Sequence, residues 1–241
     1  MIHHTLLDHG FFALLLLIPI VEWKWTWPRH LAKLASGDRN ARIDHYSKLI
    51  AGEWILTIGL LASWAVAGRT LADLRLAGDT PVHLGLGFAY VIALIALLVI
   101  QRRALLARPD RRARIRKAIE YGIPLLPHTA RERRIFWIVS ATAGFCEEVL
   151  FRGFLTWYLS AWMGLAAAVL LASLIFGAGH VYLGIVQVPK TAFIGVIFAV
   201  VVALTGSLWP AMLLHAAIDW NSGELGFKLI KGNTSRELPA A

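Results

Sequence analysis

An all-α, polytopic bundle of about seven membrane spans (six to eight) is the fold class this sequence predicts, and three observations carry it. Hydrophobic residues make up 58% of the 241, charged residues 16%, and mean hydropathy is +0.62, a balance outside that of soluble domains. Apolar runs of about 19 to 22 residues recur, the length that crosses a ~30 Å hydrocarbon core at ~1.5 Å per residue. No strand-like alternation is sustained over a long stretch, and Lys and Arg fall between the apolar runs.

Taken in order, the first span covers residues 6–27, with Asp8 at one end and a Trp-Lys-Trp cluster at the other. A basic loop, 28–48, leads to a second span over 49–67 that carries Glu53 one turn in. The loop 68–81 sets Arg69 and Arg75 against Asp73 and Asp79 and is neutral. The third span is 82–100, and the loop after it, 101–134, is the most Arg-rich of the chain. Residues 102–117 have the composition of a basic interfacial helix, which Pro109 would break, or of an ordinary stop-transfer loop. Four further spans are expected over 135–160, 164–182, 190–208 and 209–223, the last the shortest. The tail from Phe227 is polar and basic.

Charge bias sets the orientation. The first and third loops, the Lys190 turn and the tail are basic, so seven spans put the N-terminus outside and the C-terminus in the cytoplasm. Residues 1–241 read as a single membrane domain, with 135–223 as its catalytic core. The net charge of +9 fits anionic headgroups and orientation rather than nucleic acid. Ten Trp suit two interfacial belts. The N-terminal run has no basic n-region or cleavage site and reads as a retained helix. Cys146 is the single cysteine, so no internal disulfide forms, and its expected role is packing.

The chemistry is concentrated where charge interrupts apolar sequence. The stretch FCEEVLFRGF (145–154) holds Glu147, Glu148 and Arg152, each costing several kcal/mol at bilayer depth, about 2.5 to 3.5 on insertion scales. Glu148 and Arg152 are four apart and can pair on one face, whereas Glu147 points about 100° away. An unpaired buried carboxylate suits a general base, although the same trio can serve as an ion-pair staple between helices. The fifth span ends FGAGHVYLG, with His180 between glycines, either a catalytic imidazole or a hydrogen-bonding group between helices. The seventh carries His215 and Asp219 at i, i+4, an oriented imidazole or two ligands of one metal. These groups must converge on a protein-lined cavity rather than face lipid. A carboxylate and two histidines can deprotonate a water and stabilise an oxyanion. HExxH is absent, which excludes a zincin.

Three ordered motifs, Glu147-Glu148-xxx-Arg152, Phe176-xxx-His180 and His215-xxx-Asp219, resemble the CPBP-type intramembrane proteases, which include the CAAX prenyl proteases and the bacterial Abi and immunity proteins. The likeness covers about residues 135–220. It implies Glu147 as general base with His180 positioning the water. It implies His215 and Asp219 as the pair at the oxyanion or carbonyl, with Glu148, Arg152 and Phe176 in support. Where the prenyl proteases have Asn, this chain has Asp219, which cannot donate to an oxyanion when ionised and is better suited to a metal or to His215. The family has been described both as zinc-dependent and as metal-independent; a zinc ion would use His180, His215, Glu147 and Asp219. The expected function is endopeptidase cleavage of a membrane-associated protein or peptide in the bacterial inner membrane, from a cavity open to the cytoplasm. The competing readings are a non-enzymatic immunity or scaffold protein, and a small transporter or proton channel, against which the lack of an internal repeat counts.

Overall fold

A computed structural model describes residues 4–77 and 81–234; Asp79, weighed in the second loop, lies outside them. Helix α1 (Leu6–Val21) is closed by a capping box, Thr5 accepting from the Asp8 amide while the Asp8 carboxylate accepts from the Thr5 amide at 2.6 Å. Arg69 grips both Asp8 oxygens at 2.7 Å and stacks over Trp64 and Trp157, tying the α1 start to the second loop. Pro19 removes an amide from the ladder, and the helix widens into a π turn at Glu22–Thr26 before α2 (Trp27–Ala35).

The first span is therefore longer than expected. Helix continues to Ala35 and resumes at α3 (Ala41–Val66), so the basic stretch 28–48 is mostly helical. Basic side chains do not stop a helix; Gly37, at φ 78°, does. Helix α4 (Pro81–Leu106) is followed by α5 (Pro109–Ala118), with Pro109 opening the new helix. Thr129 and Glu132 form a capping box that starts α6 (Ala130–Glu147), so Arg131–Arg134 belong to its first turn rather than to a loop.

From Glu147 the backbone passes without a break into a π segment, Glu148–Leu155, and then α7 (Thr156–Met163). Gly164 at φ 75° turns the chain into α8 (Leu165–Ala178). Helix α9 (Gln187–Thr205) ends on left-handed Gly206, and α10 (Leu208–Thr234) follows. The last helix is thus one of the longest, not the shortest, because Glu224 and Lys228 interrupt hydropathy but not helical geometry.

Among the described residues, four helices are long and apolar enough to cross a membrane: Leu6–Ala35, Ala41–Val66, Pro81–Leu106 and Gln187–Thr205. Their outer faces expose Leu17, Ile55, Ile92 and Leu204, as lipid contact requires. The ionisable motif residues lie outside these four, on α6, the π segment, the turn after α8, and α10. All eight residues of the π segment are buried, and the main core gathers on them, with Phe154, Leu155, Phe176, Phe198 and Leu208 among its members. Trp64 and Trp27 are buried too, so the tryptophans do not all lie in interfacial belts.

Candidate active site

The three motifs meet where α6, α8 and α10 converge. Gly144 makes this possible. A Cβ there would sit 2.7 Å from the Ala216 Cβ and 2.8 Å from the Met212 carbonyl, so α6 and α10 touch backbone to backbone one turn from Glu148 and beside His215.

Arg152 Nη1 donates to Glu148 Oε1 at 2.9 Å, and the same oxygen accepts from His215 Nδ1 at 2.7 Å. Glu148 is fully buried and the Arg152 side chain is 3% exposed. The Arg152 guanidinium also lies 4.0 Å over the Phe176 ring, and its Nη2 would touch any Cβ at Gly195. Glu148 therefore does more than partner Arg152: it fixes the imidazole of His215. Sequence spacing shows which residues share a face, not which neighbouring helix supplies the acceptor.

With Nδ1–H given to Glu148, His215 Nε2 faces two more carboxylates, Glu147 Oε2 at 3.5 Å and Asp219 Oδ2 at 3.6 Å. Phe198 stacks on the ring at 4.7 Å and Phe176 meets it edge-on. Asp219 thus lies at the open nitrogen of His215, while the short orienting bond comes from Glu148. Glu147 Oε2 is buried and makes no hydrogen bond.

His180 sits just past α8, in the turn before a short 3-10 stretch, Val181–Leu183. Its Nδ1 lies 3.0 Å from the Phe176 carbonyl, which can only accept, so Nδ1 carries the proton and Nε2 is left as an acceptor. The ring packs edge-on to Phe176 at 5.0 Å and lies within electrostatic reach of Asp219 and His215. Among the described residues no ion pair joins it to Glu147. Phe176 is the hub, touching Arg152, His180 and His215.

The donor chemistry of two imidazoles and two carboxylates suits zinc. No set of three or more His, Cys, Asp or Glu among the described residues is arranged as a metal site. Three neighbours carry no motif signature: Glu53, whose Oε2 is buried without a hydrogen-bond partner, Tyr182, and Glu22 on the first π turn. Glu53 could have been flagged from sequence as an uncompensated charge in a span.

Residues 131–221 match the family model described as Type II CAAX prenyl endopeptidase Rce1-like. No curated protein and no solved structure shows significant similarity to the chain.

Proposed function

Because residues 131–221 match the Rce1-like family of type II CAAX prenyl endopeptidases, we propose that this membrane protein is an intramembrane endopeptidase that hydrolyses a peptide bond of a membrane-associated protein or peptide. The observation that carries the reading is the buried Oε2 of Glu147, which makes no hydrogen bond and lies 3.5 Å from His215 Nε2, an acceptor poised beside the imidazole.

Glu147 takes the proton of the attacking water, and His180 Nε2 accepts its second hydrogen and sets its direction. His215 gives Nδ1–H to Glu148. A second proton on Nε2 satisfies the facing carboxylates and supplies the donor that a developing oxyanion needs. Asp219 holds that proton in place. Protonated Glu147 then returns its proton to the departing amine. Arg152 holds Glu148 stationary at 2.9 Å, and Phe176 keeps both rings in register.

Zinc enters as a proposal with a defined ligand set, His180, His215, Glu147 and Asp219; a bound ion would polarise the scissile carbonyl. Metal analysis decides its part. About one equivalent in the wild type, lost in folded His180→Ala and His215→Ala proteins, assigns the ion. A metal-free, active enzyme leaves water activation to Glu147 and His180.

The membrane reading is seven spans in the bacterial inner membrane, N-terminus outside, with the cavity open to the cytoplasm. Its support is the Lys/Arg excess in every loop assigned inside. A second reading, a non-enzymatic scaffold or immunity protein, draws on Glu148 bonding both Arg152 and His215, which would also staple helices together. Reconstituted protein incubated with a panel of membrane-anchored peptides separates the two. New peptide termini, identified by mass spectrometry, support the protease, and an intact panel supports the scaffold.

A further inference from the structure

Outside the motifs, Glu53 lies within the span Ala41–Val66, with Glu147 and Asp219 in electrostatic reach. Its Oε2 is buried without a hydrogen bond, and no ion pair involves it among the described residues. The neighbouring Trp54 donates to Thr142 at 3.3 Å and stacks on Phe145 at 5.3 Å. Helix α3 is thereby fixed on α6, the helix that carries Glu147.

The same lining continues toward the first helix. The Tyr182 ring stacks on that of His180 at 6.2 Å and lies 4.9 Å from that of Trp27, with Glu22, Glu147, Asp219 and Glu53 within electrostatic reach. Glu22 Oε1 is also buried without a hydrogen bond. His45, 4% exposed, points its own unpartnered Nε2 at that oxygen from 3.9 Å, too far for a hydrogen bond. Arg152 is already committed to Glu148. The lining therefore has acceptors to spare and two aromatic faces, the combination that receives an ammonium or guanidinium.

We propose that this lining selects a basic residue in the substrate, a Lys or Arg near the scissile bond whose cation docks on Glu53 with the Tyr182 and Trp27 rings alongside. The inference rests on the protease reading and names the substrate class of that same site. A neutral isostere leaves Glu53 unpaired, and an acidic residue brings it no cation.

The test uses full-length protein in liposomes and acylated peptides differing at one position, with Lys, norleucine or Glu placed in turn around the cleaved bond. Wild type should cut the best Lys peptide about tenfold faster by kcat/KM than its norleucine twin, the discrimination of a charge-assisted hydrogen bond. In folded Glu53→Gln that ratio should fall toward one, and Glu53→Asp should recover part of it. Cleavage with equal rates for Lys and norleucine overturns the inference and leaves the protease reading standing. So does a folded Glu53→Gln enzyme that loses all peptides equally. Failure of wild type to cut any peptide overturns both.

Discussion

At the scale of single residues, the site is organised by one carboxylate that binds two cationic or proton-bearing partners. Glu148 Oε1 holds Arg152 at 2.9 Å and His215 at 2.7 Å, in a place with no access to water. Removing one member strands the others. Arg152→Met leaves the buried Glu148 with His215 alone and is expected to cost about 3–5 kcal/mol, read as a lowered midpoint in detergent melts. Glu148→Gln keeps the shape but weakens the hold on His215. It should lower kcat more than it raises KM, since the imidazole still sits in the cavity but turns more freely. The pairing of Glu148 with Arg152 was legible from their i, i+4 spacing. The bond to His215 was not, because the helix that supplies a partner is decided by packing.

At the scale of elements, two backbone features place the site. The π segment Glu148–Leu155 widens the helix where the ionisable residues sit, a location typical of such segments. Nothing in the sequence, neither Pro nor a Gly pair, announces it. Gly144 lets α6 lie against α10, so close that a methyl added there would meet the Ala216 amide at 2.8 Å. Gly144→Ala should therefore destabilise by about 1–3 kcal/mol and depress activity by separating Glu147 and Glu148 from His215. Gly10→Ala, on α1 with nothing within 4 Å, is the control and should be neutral or slightly stabilising. Melting curves and cleavage rates of the two variants check this. Apolar segments were readable because hydropathy marks them. Helix ends were not: Leu6–Ala35 and Leu208–Thr234 run on through polar residues that hydropathy treats as loop.

At the scale of the whole molecule, the bundle turns apolar side chains outward and its charged ones inward, the motif residues together with Asp8, Glu22 and Glu53 from the spanning helices. The topology proposal predicts opposite faces for two loops. In right-side-out vesicles, Asp73→Cys should react with an impermeant thiol reagent and Arg111→Cys should not; the buried native Cys146 stays silent. Labelling of Arg111→Cys but not Asp73→Cys would invert the bundle. The helical class and the meeting of three motifs were legible because burying ionisable groups in a membrane leaves them few places to go. The positions of Glu53, Tyr182 and Glu22 around the site depended on how the first helices dock, which no motif encodes.

The central claim is that Glu147 activates the hydrolytic water. It is tested most directly by single-turnover cleavage of a membrane-anchored peptide by wild type and Glu147→Gln, both reconstituted and matched in melting midpoint. The account predicts a loss of at least about 10²-fold to 10⁴-fold, the scale of general-base catalysis. A folded Glu147→Gln protein that cleaves at the wild-type rate would contradict it.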